Sequence, residues 1–232
     1  MSSNGYKLVL FDFDGTLAQT LDNIIWCMEK TMSFYGQKTP SRKAVIRTVG
    51  HTLEESLRML CPSIIPDKDM PELVSRYREF DKESQGGQTR LFDGVPELLK
   101  KAHNHGIRLA IVSNKGIHAI QTVLQRSNVF SFIDIIFSGN TSKFKKPDPD
   151  LYHHEIKPHF PDMSHSEVLV VGDTPHDISF AKASGLDSCW VGYGYGNQEA
   201  CLELEPNYIA RNVSDLTSHI FSSHKPLRRS KT

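Results

Sequence analysis

Short runs of apolar residues recur along the chain, and turn residues follow each of them. The run Leu8–Phe11 is too short for a helix and leads into the turn DFDGT, so it predicts a buried strand. Five further segments predict strands: Ile107–Val112, Phe132–Phe137, Glu167–Val171, Cys189–Val191 and Tyr208–Ala210. The longer runs alternate little between apolar and polar residues, which is typical of parallel strands buried on both faces.

Apolar residues at helical spacing lie between the predicted strands. Val95, Leu98 and Ala102 form one such pattern, with Pro96 in the first turn and Gly106 just beyond the end. These are the usual positions of proline and glycine at the two ends of a helix. Alternating strands and helices predict an α/β fold with a doubly wound, Rossmann-like parallel sheet.

The segment from about Leu21 to Gln88 interrupts this alternation, because its apolar residues form helical stripes and no convincing strand. Within it, Thr52 and Glu55 have the spacing of a capping box at a helix start. We therefore expect a small helical cap domain inserted after the first strand. The predicted α/β core comprises residues 1–18 and 91–232, and the predicted cap comprises residues 19–90.

Composition excludes several classes of protein. The chain has 232 residues with 27 basic and 27 acidic side chains, so no overall charge favours nucleic acid. The locally basic tail from Lys225 to Thr232 is interpreted as a solvated end. The four cysteines form no CxxC pair, which argues against a zinc site or a disulfide framework. Without a signal-peptide pattern or a long apolar run, we predict a cytoplasmic protein that binds no membrane.

Two aspartates, Asp12 and Asp14, directly follow the first predicted strand. In open α/β sheets, ligands bind beyond the carboxyl ends of the strands, which is where these side chains emerge. Two carboxylates this close repel each other and need a cation between them or a proton on one. A hard ion such as Mg²⁺ prefers such oxygen ligands. A lone DxD sequence is also common in Asx turns and solvated loops, so the pair alone does not establish function.

Further polar residues follow the other predicted strands. Ser113 and Asn114 follow the Ile107 strand and, with the backbone N–H groups of a helix start, suit an anion. Asp173 and Asp177 follow the Glu167 strand, and Lys146 comes after the Phe132 strand. Four strand ends thus carry, in chain order, acidic residues, anion-binding groups, a basic residue and acidic residues again. Such a combination rarely arises by chance.

This combination resembles the haloacid dehalogenase-like hydrolase superfamily over nearly the whole chain. Four stretches match its motifs: DFDGT (Asp12–Thr16), Ser113-Asn114, Lys146 in KPDPDLY, and GDTPHDISFAKASG. The helical insertion resembles that superfamily's cap domain. The stretches VGHTLEESL, LFDGVPELL and VGYGYGNQEACLELEPNYIA are similar to its phosphoglycolate phosphatase branch.

The resemblance implies catalytic and metal-binding roles for these residues. Asp12 would be the nucleophile that attacks phosphorus to give an aspartyl-phosphate. Asp12 and Asp173 would bind Mg²⁺ through their side chains, and Asp14 through its backbone carbonyl. The Asp14 side chain would then be the general acid and base, whereas dehalogenases that act on carbon do not need this second aspartate.

Other residues are expected to hold the phosphoryl group or the leaving group. Ser113, Asn114, Lys146 and Thr16 are predicted to bind phosphate. Asp177 would orient Lys146 or a metal-bound water, or would cap the helix that follows. Candidates for substrate specificity in the cap are Arg47, Gly50, His51 and Thr52. Similar sugar-phosphate mutases have an arginine where this chain has Leu53, and the difference favours hydrolysis. The stretch GYGYG is interpreted as a flexible turn that flanks the site.

The sequence therefore predicts a Mg²⁺-dependent phosphatase of a small phosphorylated metabolite, with 2-phosphoglycolate as the leading substrate. A phosphomutase or an inorganic pyrophosphatase on the same fold is the alternative, and a non-catalytic regulatory protein is a further one. We expect no nucleic-acid or membrane partner, and either a monomer or a homodimer.

Overall fold

The structure is a computed structural model that describes residues 5–61, 65–84, 86–87 and 89–222. In chain order its strands and helices are β1 (Leu8–Phe11), β2 (Ala18–Gln19), α1 (Leu21–Phe34), α2 (Arg42–Ile46), α3 (Leu53–Leu60), α4 (Met70–Glu83), β3 (Arg90–Leu91), α5 (Val95–Asn104), β4 (Arg108–Ser113), α6 (Ile117–Arg126), β5 (Ile135–Ser138), β6 (Val168–Gly172), α7 (Pro175–Ala183), β7 (Asp187–Val191), α8 (Gln198–Glu203), β8 (Tyr208–Ala210) and α9 (Val213–Ile220). Short helical turns lie at Phe130–Phe132, Leu151–Ile156, Lys157–His159 and His165–Glu167. The basic tail from Lys225 to Thr232 falls outside the described residues.

Six strands form one parallel sheet in the order β5-β4-β1-β6-β7-β8. This arrangement confirms the predicted α/β class, and each of the six predicted strands is present. Strand β1 pairs with β4 on one side and with β6 on the other. The strand order therefore reverses beside β1, and ligands of doubly wound sheets bind at such a reversal.

Successive residues of the central strands point to opposite faces of the sheet, and both faces are covered. In β1, Val9 and Phe11 belong to one buried cluster, whereas Leu8 and Leu10 belong to another. The first cluster includes residues of α5, α6 and α9, and the second includes residues of α7 and of the turn Leu151–Ile156. Because neither face meets water, these strands need an uninterrupted apolar sequence, which is the pattern seen in the chain.

Helices α1 to α4 have a buried cluster of their own, which includes Met28, Met32, Leu57 and Leu73. Their chain leaves the sheet domain after β2 and returns through β3, and these two short strands pair antiparallel. The Thr52–Glu55 capping box at the start of α3 is confirmed. The division into a core and a cap at residues 18/19 and 90/91 stays a prediction.

The structure corrects two details of the sequence pattern. Strand β5 begins at Ile135 rather than at Phe132, because Phe130–Phe132 forms a helical turn. The Asp134 carboxylate accepts a hydrogen bond from Leu109 N at 2.7 Å. Just before the strand begins, a side-chain oxygen therefore accepts the hydrogen bond that a backbone carbonyl would accept within a sheet. The short helix α2 was not expected from the sequence. Among the helices of the described ranges, none combines the length and apolar character that crossing a membrane requires.

Candidate active site

A cavity of about 280 Å³ lies between the carboxyl edge of the sheet and the inserted helices. This volume is near the lower end of the ~300–1,000 Å³ typical of small-molecule sites. The sheet edge contributes Asp12, Asp14, Ser113 and Asn114 to the cavity wall, and residues 48–52 form part of the opposite wall. Side chains of α1 and α4 complete this wall, among them Met28, Tyr77, Arg78 and Asp81.

The ammonium group of Lys146 lies between two buried carboxylates. Its Nζ lies 2.7 Å from Asp12 Oδ1 and 2.5 Å from Asp177 Oδ1. Burial alone would lower the pKa of Lys146, but Asp12 and then Asp177 outweigh that effect and raise the pKa. Lys146 is therefore charged, and it directly contacts the side chain predicted to be the nucleophile.

Asp177 uses its two carboxylate oxygens for two different contacts. Its Oδ1 accepts from Lys146, and its Oδ2 accepts from Thr174 N at 3.0 Å and from Thr174 Oγ1 at 2.7 Å. The second contact forms a capping box at the start of α7. The two roles considered as alternatives for Asp177, contact with Lys146 and helix capping, therefore occur together.

Asp173 is completely buried and is held by donors from two other segments. Its Oδ1 accepts from Thr16 Oγ1 at 3.2 Å, and its Oδ2 accepts from Tyr195 N at 2.7 Å and from Gly196 N at 3.2 Å. Thr16 is predicted from the sequence to bind phosphate. In the structure its buried hydroxyl donates to Asp173 and so positions that carboxylate.

Asp12, Asp173 and Asp177 form a buried acidic cluster in which one oxygen of each lies within 4.8 Å of the others. Three carboxylates against the single ammonium of Lys146 leave two uncompensated negative charges if none is protonated. Burial raises the pKa of Asp12 to about 7 despite the opposing effect of Lys146. Burial and then Asp12 raise the pKa of Asp173 well above the usual carboxyl range.

The cluster fits a divalent metal ion. Hard cations prefer oxygen ligands, and an ion of charge two would neutralise the excess carboxylates without protonation. Asp12 and Asp173, the two side-chain ligands expected from the sequence, both belong to this cluster.

Asp14 has a neighbour that was not selected from the sequence. Lys115 Nζ lies 3.4 Å from Asp14 Oδ1, and the Lys115 side chain is 9% exposed. Burial would lower the pKa of Lys115, but the carboxylates of Asp14 and then Asp81 raise it. Its position in the sequence could have indicated this role, because Lys115 directly follows Ser113-Asn114 at the end of β4.

Asn114 joins three segments of the chain at the cavity wall. Its Nδ2 donates to Gly50 O at 2.9 Å and to Lys146 O at 3.2 Å. The neighbouring Ser113 is buried, and its Oγ accepts from Lys115 N at 3.4 Å. Both residues lie at the cavity as the sequence predicts, and the Asn114 amide also holds the inserted helical region against the sheet.

The loop before α3 makes close contact with the start of α7. Gly50 has a φ of 95°, and a Cβ at this position would lie 2.9 Å from Thr174 Oγ1. The ring of His51 packs edge-on against His176, with 4.4 Å between the ring centroids. Gly50, His51 and Thr52 all line the cavity. Arg47, the fourth predicted specificity residue, is exposed and is not among the lining residues.

The stretch GYGYG is a turn that flanks the site, as the sequence predicts, and it contacts Asp173 and the chain after Asp14. The Tyr195 and Gly196 amides donate to Asp173, and Tyr193 OH donates to Thr16 O at 3.1 Å. A Cβ at Gly194 would collide with the Asp173 side chain. The alternating glycines were the available signal, since they permit close backbone approach.

Comparison with known proteins identifies the family. The family model described as haloacid dehalogenase-like hydrolase matches residues 9–191, which includes every residue of the cluster and of the cavity wall. The structure is similar to that of a haloacid dehalogenase-like hydrolase from Bacteroides fragilis, with a TM-score of 0.84 and 27% sequence identity. That alignment covers 91% of this chain and 99% of the other.

Two curated proteins are similar over nearly their full length. Pyrophosphatase PpaX of Halalkalibacterium halodurans is 29% identical over 208 residues, which cover 90% of this chain and 94% of the relative. A phosphoglycolate phosphatase of Vibrio cholerae is 28% identical over 223 residues, which cover 94% and 98% of the two chains.

Proposed function

We propose that this chain, a member of the haloacid dehalogenase-like hydrolase family, hydrolyses a small phosphomonoester with Asp12 as nucleophile. The family and its phosphatase relatives make the chain a phosphoric monoester hydrolase. The observation that carries the mechanism is the position of Asp12, which lines the cavity while its Oδ1 contacts the charged Lys146. No other carboxylate within the described ranges combines a direct Lys146 contact with a place in the cavity wall.

Asp12 would attack the phosphorus atom of the bound ester, forming an aspartyl-phosphate as the P–O bond to the leaving group breaks. A carboxylate and a phosphate dianion repel each other, so positive charge must lie beside them. Lys146 provides one such charge at 2.7 Å from Asp12 Oδ1. It would also hold the phosphoryl oxygens, together with the Ser113 hydroxyl and the Asn114 amide.

We propose that Asp12, Asp173 and the backbone carbonyl of Asp14 hold Mg²⁺. When bound, this ion would neutralise the nucleophile and the phosphoryl oxygens. Asp173 is suited to such a role because Thr16 and the backbone of residues 195–196 hold both of its oxygens in place. Asp177 would orient Lys146, which it contacts at 2.5 Å.

The side chain of Asp14 would serve as the acid and then as the base. It lines the cavity and lies near Asp12 in sequence, so it can protonate the oxygen of the leaving group. It would then accept a proton from the water that attacks the aspartyl-phosphate, which releases inorganic phosphate and restores Asp12. Lys115, at 3.4 Å from Asp14 Oδ1, would keep this carboxylate in position.

The inserted helices would act as a cap that excludes water and selects the leaving group. The 280 Å³ cavity favours a small metabolite, and we propose 2-phosphoglycolate as the leading substrate. Leu53 lines the cavity, so this position offers no charge to a second phosphate, which favours hydrolysis over mutase chemistry. Pyrophosphate is a second candidate substrate because a pyrophosphatase is among the relatives.

Phosphate release from a panel of phosphorylated metabolites, with and without Mg²⁺, tests the proposal. The panel should include 2-phosphoglycolate, pyrophosphate, sugar phosphates and p-nitrophenyl phosphate, with Asp12→Asn as the control variant. We expect Mg²⁺-dependent release that Asp12→Asn abolishes. Release from no compound, or undiminished release by Asp12→Asn, would contradict the proposal.

A further inference from the structure

The loop Gly192–Gly196, here called the tyrosine loop, contacts both the acidic cluster and the connections to the inserted helices. On the first side, the backbone N–H groups of Tyr195 and Gly196 donate to Asp173 Oδ2. A Cβ at Gly196 would collide with the backbone oxygen of Asp173. The backbone of the tyrosine loop therefore lies directly against Asp173.

The side chain of the same Tyr195 reaches the first connection. Its phenol oxygen accepts hydrogen bonds from Thr20 N at 2.9 Å and from Leu21 N at 3.3 Å. These amides lie at the start of α1, where the first N–H groups have no partner within the helix. Within the described part of the chain, the side chain of the N-cap residue, Thr20, makes no capping hydrogen bond. The Tyr195 phenol therefore takes the place of a helix cap from outside the helix.

The other tyrosine of the tyrosine loop contacts the second connection. The Tyr193 ring packs edge-on against Phe92, which directly follows β3, with 4.9 Å between the centroids. Its hydroxyl donates to Thr16 O. The two tyrosines also belong to different hydrophobic clusters: Tyr193 packs against the sheet cluster, and Tyr195 against the cluster of α1 to α4. One five-residue loop thus contacts both chain connections at the boundary between the two clusters.

We propose that Tyr195 is a positioning residue that couples the metal-holding carboxylate of Asp173 to the inserted helices. Its amide fixes Asp173, and its phenol fixes the start of α1, so a cation that orders Asp173 also orders the first connection. The inference rests on the proposed function for its metal site. It goes further by assigning Tyr195 a role in communicating metal binding to the cap.

Hydrogen–deuterium exchange of the peptide that contains Thr20 and Leu21 tests this coupling, with and without Mg²⁺. Metal binding is measured separately by titration calorimetry. In the wild-type protein, we expect bound Mg²⁺ to slow exchange of these amides. In Tyr195→Phe, the backbone donors to Asp173 remain, so Mg²⁺ should bind as it does to the wild type while the slowing is lost.

Tyr208→Phe is the matched control, because within the described residues the Tyr208 hydroxyl accepts from Tyr6 OH and has no hydrogen bond to either connection. It should respond to Mg²⁺ as the wild type does. Full Mg²⁺-dependent slowing in Tyr195→Phe, or bound Mg²⁺ without slowing in the wild type, would overturn the inference. A wild-type protein that binds no divalent cation would overturn it as well.

A kinetic comparison separates this inference from the proposed function. Because the proposed cap would contact the leaving group, Tyr195→Phe should lose more kcat/KM toward the best metabolite than toward p-nitrophenyl phosphate. Equal losses toward both compounds would overturn the coupling role. If the wild type slows exchange with Mg²⁺ but releases phosphate from no compound, only the proposed function is wrong.

Discussion

Lys115 Nζ lies 3.4 Å from Asp14 Oδ1 at the floor of the cavity. The contact joins the residue after β4 to the residue proposed as general acid and base. Asp81 of α4 lines the same cavity and is the second carboxylate that raises the pKa of Lys115. Lys115 is therefore placed to hold the Asp14 carboxylate in orientation. Its charge also interacts with the Asp81 carboxylate on the helical side of the cavity.

Lys115→Met should lower kcat by roughly 10- to 100-fold, the usual effect of losing a residue that orients an active-site group. KM should change little, because Ser113, Asn114 and Lys146 would still hold the phosphoryl group. Steady-state kinetics on the best metabolite measure both constants. Lys100→Met, an exposed change on α5, is the control and should leave both constants unchanged. An unchanged kcat in Lys115→Met would remove Lys115 from the mechanism.

Gly50→Ala should lower kcat/KM by raising KM, since a Cβ at this position would collide with Thr174 and push the loop off the sheet edge. Gly36→Ala is a matched control, because Gly36 also has a positive φ, 64°, yet a Cβ there would meet none of the described atoms within 4 Å. Both variants should lose about 1–2 kcal/mol of stability from the left-handed backbone. Kinetics and urea unfolding distinguish the two effects. Equal kcat/KM in the two variants would show that the Thr174 contact is unimportant for binding.

Lys146→Met should destabilise the metal-free protein by roughly 3–5 kcal/mol at pH 8, because it leaves Asp12 and Asp177 buried without their cation. Urea unfolding measures the loss. Lys182→Met, on the exposed side of α7, is the control and should change the free energy of unfolding by less than about 0.5 kcal/mol. A loss no larger than that of the control would mean that Lys146 does not balance the cluster.

Mg²⁺ affinity should rise with pH between about 6 and 8. Asp12 has a folded-state pKa raised to about 7 by burial, so in the metal-free protein its protonated form is favoured below that pH. For a carboxyl with a raised folded pKa, the stabilisation is present at low pH and is lost as the pH rises through about 7. A divalent ion needs the deprotonated carboxylate and relieves this loss. Calorimetric titrations at pH 6, 7 and 8 measure the trend, and an affinity that does not change with pH would contradict it.

Much of the fold follows from local sequence patterns. The innermost strands of the sheet, such as Leu8–Phe11, are continuous apolar runs because helices cover both faces. The residues at their carboxyl ends could be placed at one edge because parallel strands all end on the same side. Helix α2 could not be predicted, since its five residues carry too short a pattern to show a helical period.

The site contacts that the sequence did not predict depend on segments that are distant along the chain. Asp173 and Tyr195 are 22 residues apart, and the hydrogen bond between them depends on how the tyrosine loop after β7 folds back. A sequence shows the alternating glycines of that loop but not what packs against them. The two contacts of Asp177 were likewise each foreseeable, whereas their simultaneous use of one carboxylate is a property of the folded geometry.

The most direct test of the proposed mechanism is to trap the phosphorylated enzyme. Wild-type protein is mixed with Mg²⁺ and the best substrate, quenched in acid within one turnover and analysed by peptide mass spectrometry. We expect one phosphoryl group on Asp12, labile to hydroxylamine as acyl phosphates are, and absent from Asp12→Asn. Turnover without a phosphoryl group on Asp12, or with one on a different residue, would contradict Asp12 as the nucleophile.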